Sequence, residues 1–211
     1  MKRGSRLKPV GILEVGFGNL PSLTRVLRQI GISTSSISSS REVLSADILL
    51  IPGVGSFDSA MKHLEKKKLV NATLDRCLGL KKPTLGICLG AQILLSAGME
   101  GGLRQGIGVF DGYVRPLSTL GIIKSHTGWD KIEFSRDILS FKNEETQDFF
   151  FNHDYYFSEV NSKDSFANCN WNSSFVVGLQ KEHTFAVQFH PEKSQSAGTR
   201  FLQEFFKTYN V

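Results

Sequence analysis

A chain of 211 residues, 40% hydrophobic and 21% charged, has the length and composition of one globular domain with a sizeable core. No apolar stretch reaches the roughly 20 residues of a membrane helix, the N-terminus lacks an apolar core with a small-residue cleavage site, and Cys77, Cys88 and Cys169 lack paired spacing; a membrane span, a secretory leader, a disulfide framework and a zinc site are disfavoured, and a reduced, cytoplasmic setting without metal or other cofactor is expected. The formal charge of +5 and pI near 9.1 come from scattered basic residues, with "KKK" at 66–68 the densest run, so solvated helix ends are expected rather than a nucleic-acid face.

In chain order, "PVGILEV" (9–15) reads as a strand, and "NLPSLTRVLRQIG" (19–31) sets Leu20, Leu23, Val26, Leu27 and Ile30 on one helical stripe that Gly31 stops. The serine-rich 33–40 is short and lies between periodic segments, which predicts an edge strand running into a loop. "ADILLI" (46–51) is the continuous apolar run of a strand buried on both faces, and the turn "PGVGSF" and a helix over "DSAMKHLEKKKLV" follow it. A third strand-helix unit runs from "PTLGI" through Cys88 into "LGAQILLSAG". Beyond about residue 105 the runs shorten and alternate: "GIGVFDGYVRPL", "DKIEF", "DFFF", "FVVGLQ" and "TFAVQF" predict antiparallel strands and the closing edge of a mixed sheet, and "AGTRFLQEFFKTY" predicts a last helix. The fold class is α/β: a mixed, largely parallel sheet flanked by helices, in one domain over 1–211 with a flexible basic N-terminus at 1–8.

Gly86, Cys88 and Gly90 form G-x-C-x-G, the thiol counterpart of the nucleophile elbow, where small neighbours permit a sharp strand-to-helix turn. A helix N-terminus there favours the reactive thiolate, although an isolated cysteine is more often an inert packing residue. For the base, "TFAVQFHPEKS" sets His190 at a strand end, held out of helical geometry by Pro191, and in an extended segment Glu192 faces the same way and can orient the imidazole. His63 reads as solvated, and His183 has no evident partner. In "PGVGSF" the glycines let backbone N–H groups turn toward an oxyanion. A phosphate loop is the competing reading there, but G-x-G-x-x-G and a Walker lysine are missing, and "GFGN" at 16–19 is equally incomplete.

With "PGVGSF", "GICLGAQ" and "QFHPEKS" in this order along almost the whole chain, the sequence resembles the class I (triad) glutamine amidotransferases, whose oxyanion strand, nucleophile elbow and His-x-Glu motif these segments match. Within that family "GFGNLPSL", "SHTGWDKI" (125–132) and the compact length are similar to the glutaminase subunits of the imidazole glycerol phosphate synthases. The resemblance implies that Cys88 attacks L-glutamine, with His190 as base and Glu192 orienting it. It also implies that Gln92 holds the substrate's amino-acid end, that the backbone at Gly53 and Leu89 serves the oxyanion, that Gly55 lies in the substrate site, and that Asp154 and Tyr155 meet substrate through backbone atoms. The implied partner is a (β/α)8 barrel cyclase in a heterodimer that receives the ammonia, with Lys193, Trp129 and His126 near the interface. Such a chain binds neither nucleic acid nor membrane.

The sequence departs from the family at Glu14 and Val15, where an aspartate and an aromatic are usual, at Ser125 for proline, Asp130 for asparagine and Asp154 for serine. These departures spare the triad and leave the partner open. Paralogous subunits that supply ammonia for modifying bacterial surface sugars fit the same motifs. A stand-alone γ-glutamyl hydrolase would use the same triad without a partner. A non-catalytic binding module would need the triad to be coincidence.

Overall fold

The computed structural model describes residues 9–15 and 20–211; the expected flexible N-terminus (1–8) and "GFGN" (16–19) lie outside these residues. The first part alternates: β1 (Val10–Leu13), α1 (Leu20–Gln29), β2 (Thr34–Ile37), α2 (Ser40–Ser45), β3 (Leu49–Gly53), α3 (Phe57–Lys66), α4 (Val70–Leu74), β4 (Thr84–Cys88) and α5 (Leu89–Gln92). Strands then dominate: β5 (Leu95–Gly98), β6 (Arg104–Gln105), β7 (Phe110–Pro116), β8 (His126–Phe134), β9 (Thr146–His153), β10 (Tyr155–Ser158), β11 (Ser165–Trp171), β12 (Ser173–Lys181) and β13 (Thr184–Val187), closed by α6 (Gln195–Thr208).

Among the described residues all strands join one mixed sheet, ordered β2-β1-β3-β4-β13-β12-β10-β7-β5-β6, with β11, β8 and β9 branching from β12. The block from β2 to β13 is parallel throughout. From β13 to β12 the pairing turns antiparallel and continues so through β10 to β7. The serine-rich β2 is the expected edge strand.

The apolar run of β3 shows why the parallel block forms. Leu49 and Ile51 point into one core and Leu50 into the other, so a strand with a polar residue at either parity would leave that group buried without water. Leu23 and Leu27 of α1 and Phe201, Leu202, Phe205 and Phe206 of α6 cover the Leu50 face; Phe57, Ala60, Met61 and Leu64 of α3 cover the other. Behind the strands' N-terminal ends the fully buried Arg76 ties the layers together, its guanidinium donating to the carbonyls of Val43, Ala46, Asp47 and Pro83 and to Thr84 Oγ1.

One expected helix is cut short. After Cys88 the helix ends at Gln92, and Leu95–Gly98 is a strand. The apolar run "ILL" is buried on all sides, so its sequence has no polar stripe to fix a helical period. Its carbonyls are taken instead by the following segment: Ile107 N–H donates to Ile93 O, Val109 N–H to Leu94 O and Gly108 N–H to Leu95 O. Gly106 permits this contact, since a Cβ there would lie 2.2 Å from Leu95 O.

Candidate active site

The elbow at Cys88 is a backbone feature first. Cys88 has φ 53° and ψ −113°, a conformation that costs an L residue strain and persists only where its surroundings impose it. Those surroundings are backbone: a Cβ on Gly90 would sit 1.6 Å from Ile51 O, and one on Gly86 would sit 2.7 Å from Gly90 O. The first and last positions of G-x-C-x-G therefore accept nothing larger than hydrogen. Gly53 lies opposite Cys88 in the β3–β4 ladder and passes 2.4 Å from Val15 O by the same measure, while Gly55 at φ +116° uses the freedom only glycine has.

His190 arrives three residues beyond β13 and is 2% exposed. Its Nδ1 lies 2.9 Å from Glu192 Oε1, so the neutral or charged ring donates to that carboxylate. The segment that joins them is not extended as the sequence suggested. His190 itself is extended, but Pro191–Lys193 form a 3₁₀ turn, closed by Lys193 N–H donating to His190 O and Ser194 N–H to Pro191 O. Proline starts such a turn readily because its φ is preset and it has no N–H to lose. Ser194 then pins the turn to β9: its hydroxyl donates to His190 O at 2.6 Å and accepts from Phe150 N–H at 2.9 Å.

The ring's Nε2 is buried with no hydrogen-bond partner among the described residues. Burial alone would lower the His190 pKa, but the charge on Cys88 and the Glu192 carboxylate outweigh it, and the imidazole is raised to about 10. The imidazole thus favours its charged form beside Cys88. Gln188 ties the sulfur to the elbow helix: its Nε2 donates to Cys88 Sγ at 3.7 Å, and its Oε1 accepts from Gln92 Nε2 at 3.0 Å.

A cavity of about 320 Å³ opens over the thiol. Cys88, Leu89 and Gln92 form one wall, Val54, Gly55 and Glu100 another, and Ser125 with Asn152, His153, Asp154 and Tyr155 the third. Among the described residues no lysine or arginine lines it, and Glu100 and Asp154 make it acidic. Glu100 is anchored by Phe57 N–H at the start of α3, 2.6 Å from its Oε2. Burial, then the charges of Glu100 and Asp154, raises the Tyr155 phenol. The chemistry this supports is attack by a thiolate on a small, uncharged electrophilic carbon whose other end carries an ammonium group.

Of the residues expected at the site, Cys88, Gly55, Leu89, Gln92, Asp154 and Tyr155 share the cavity, with the His190–Glu192 pair behind the thiol; Gly53 adjoins Cys88 in the sheet without lining the cavity. Trp129, 45% exposed, and Lys193 flank Phe150, the indole edge-on at 6.1 Å and the ammonium 5.3 Å from the ring centre. His126 differs from the expectation of an interface residue. It is 1% exposed, its ring stacked between Phe151 and Trp171, because the inward parity of β8 at 126 places it among aromatic side chains. Glu100, Asn152 and Gln188 were not anticipated; only Gln188, two residues before His190 in "QFHPE", carried a spacing that would have marked it.

Among the described residues no helix is long and apolar enough to cross a membrane, and no three His, Cys, Asp or Glu side chains are grouped to hold a metal ion.

Residues 12–209 match the family described as glutamine amidotransferase class-I. The chain is 37% identical over 202 residues to imidazole glycerol phosphate synthase subunit HisH 1 of Campylobacter jejuni (strain RM1221), covering 94% of this chain and 99% of that one. It is 34% identical to the HisH subunit of Methanosarcina barkeri (strain Fusaro / DSM 804), covering 94% and 98%. Among solved structures, one described as a glutamine amidotransferase superposes with a TM-score of 0.75 at 17% identity, over 97% of this chain and 100% of that one. PurLQS from Thermotoga maritima does so at 0.72 and 16%, over 95% and 99%.

Proposed function

The chain belongs to the class I glutamine amidotransferases, and from that premise we infer that it is the glutaminase subunit of an imidazole glycerol phosphate synthase, hydrolysing L-glutamine and passing the ammonia to a cyclase subunit in histidine biosynthesis. The observation that carries the chemistry is the strained thiol of Cys88, set above a cavity with a buried His190–Glu192 pair behind it.

The Cys88 thiolate attacks the side-chain carbonyl carbon of glutamine, and the carbonyl π pair moves to oxygen. Backbone N–H groups of the Gly53–Gly55 turn and of Leu89, at the start of α5, take the resulting oxyanion. The His190 imidazolium gives its Nε2 proton to the amide nitrogen, the C–N bond breaks, and ammonia leaves a γ-glutamyl thioester. Neutral His190 then takes a proton from water as that water attacks the thioester, and thiolate departs with glutamate released. Glu192 accepts from Nδ1–H throughout, so the ring keeps its orientation and its positive charge is offset when it forms. Glu100 is suited to the substrate's ammonium, and Gln92 with the peptide groups of Asp154 and Tyr155 to its carboxylate. The ammonia passes to a (β/α)8 barrel cyclase that docks beside Trp129 and Lys193, a reading supported by the relatives' being named synthase subunits and by the near-complete match to their length.

The test is steady-state glutamine hydrolysis by the purified chain alone and with excess cyclase plus the cyclase's nucleotide ligand. Stimulation of at least about tenfold, some 1.4 kcal/mol of barrier, supports partner gating. Full activity alone indicates a stand-alone hydrolase, and stimulation by neither cyclase nor ligand points to a different acceptor.

A further inference from the structure

Behind the third wall of the cavity three polar side chains form a line from the surface inward. Asp130 Oδ2 lies 2.9 Å from His126 Nε2, His126 Nδ1 lies 2.9 Å from His153 Nε2, and His153 Nδ1 lies 2.7 Å from the carbonyl oxygen of Tyr155. The first and last positions fix every proton between them. A carbonyl only accepts, so His153 Nδ1 carries hydrogen. His153 lines the cavity and is buried; burial first, then the charge of His126, lowers it to about 3, so it is neutral and its Nε2 is an acceptor. His126 must therefore donate through Nδ1. Its remaining nitrogen faces a carboxylate, and two lone pairs do not share a 2.9 Å contact, so one more proton lies between His126 and Asp130.

We propose that Asp130, His126 and His153 act as positioning residues for glutamine: the proton shared by Asp130 and His126 sets the direction of the whole hydrogen-bond line, which holds the Tyr155 carbonyl and with it the substrate-facing peptide groups of 153–155. The rest of that loop is already fixed around this one point. Leu117 N–H donates to Asp154 O, and Gln92 Nε2, from the elbow helix, donates to the same Tyr155 carbonyl at 3.4 Å. The Tyr155 carbonyl is thus where the nucleophile wall and the loop wall meet. His126 has little freedom to break the line by turning, since its ring is stacked at 4.3 Å against both Phe151 and Trp171.

Burial among these rings holds His126 below its usual pKa, and Asp130, one hydrogen bond away, offsets only part of that, so the shared proton is held toward the acid end and given up as pH rises. The groups whose charge reaches the line are Asp130 on β8, His153 on β9, Cys169 on β11 through Asp130, and His190 through His153; the other packed neighbours, Phe151, Trp171 and Phe175, are uncharged. As pH rises the shared proton is lost, the Asp130–His126 contact becomes repulsive, and glutamine binding weakens. Asp130→Asn removes this sensitivity, because an amide can donate to a neutral His126 Nε2 and leave the rest of the line unchanged.

The proposal rests on the reading of the cavity as a glutamine site. Its test is KM and kcat for glutamine between roughly pH 5.5 and 8.5, where an imidazole titrates, for the parent, Asp130→Asn and His126→Phe, the last keeping the stacked ring. Glutamine affinity is measured by calorimetry in parallel on the Cys88→Ala background, so that binding is read without turnover. We expect His126→Phe to raise KM and Kd roughly three- to tenfold, the range of one lost hydrogen bond, with kcat changed less than about threefold. Asp130→Asn is expected to bind like the parent at the acid end and to lose the rise of KM and Kd with pH. Affinities that follow the parent's pH profile in Asp130→Asn, or an unchanged KM in a folded His126→Phe, overturn the proposal even if glutamine is turned over. No binding or turnover by any variant, parent included, overturns the glutamine site itself.

Discussion

The two sides of the cavity are held in place by different means. At the elbow, backbone presses on backbone: Gly86, Gly90 and Gly53 lie against carbonyls of neighbouring segments, and Cys88 is forced into positive φ between two parallel strands that are buried on both faces. Across the cavity, the loop at 152–155 stands at the end of an antiparallel pair and is held by side chains, through His153, His126 and Gln92. Rigid backbone suits the nucleophile, whose angle of attack must not drift. Side-chain fixing suits a substrate loop, because hydrogen bonds to imidazoles can be altered by a proton while peptide contacts cannot.

The comparison can be broken at the elbow first. Cys88→Ala removes the thiol without touching the backbone contacts, so glutamine hydrolysis should fall by at least about 10⁴-fold while ammonia-dependent synthesis with the cyclase and the folding transition persist; retained glutaminase turnover would end the assignment. His190→Ala should come close to that loss, whereas Glu192→Gln should lose less, since an amide oxygen still accepts from Nδ1–H but no longer offsets the imidazolium. Equal and complete loss in two folded variants would remove the distinction between base and orienting group.

The next effect is on stability and separates backbone from side-chain constraint directly. Gly90→Ala would set a Cβ 1.6 Å from Ile51 O, and Gly178→Ala, in the antiparallel region, would set one 2.6 Å from the ring of Phe166. A ring can shift and a strand carbonyl cannot, so denaturant unfolding should show a loss of about 3 kcal/mol or more for the first and about 1 kcal/mol for the second. Similar losses would mean that the elbow yields as easily as the antiparallel sheet.

The last expected effect is a pH dependence. His190 is raised in the folded protein to about 10, so its charged form stabilises the fold fully below the unfolded value near 6.5, and that contribution disappears as pH rises through the folded value. The unfolding free energy should therefore decline over this window, and the decline should shrink in both Cys88→Ala and Glu192→Gln. A slope unchanged in both variants would remove the proposed charge pairing at the elbow.

What was legible in the sequence follows the same division. β3 and β4 and the helices α1, α3 and α6 could be read from apolar runs and stripes, since burial on both faces of a parallel sheet leaves a continuous signal. The elbow, the glycine turn and the His-x-Glu segment were legible because local backbone geometry demands particular residues at fixed spacing. β10 and β11 were not: "YYFS" is only four residues long, and "SFANCNW" mixes asparagines with buried Phe166, Ala167 and Cys169, so neither carries a clear period.

By itself, then, the sequence determined the α/β class and the parallel core and pointed to Cys88, His190 and Glu192 as the proposed thiol, base and carboxylate, because each of these signals depends on residues near one another along the chain. Only the tertiary structure decided that "ILLSAG" continues as a strand, since its carbonyls are claimed by a segment ten or more residues away. It also decided that Glu100 and Asn152 line the cavity and that His126 lies inside, linked to His153 across a β8–β9 pair whose register sets residue 126 against residue 153. Contacts between strands distant in sequence are chosen by sheet register and core packing, and a one-residue slip would have turned the same imidazole outward to solvent.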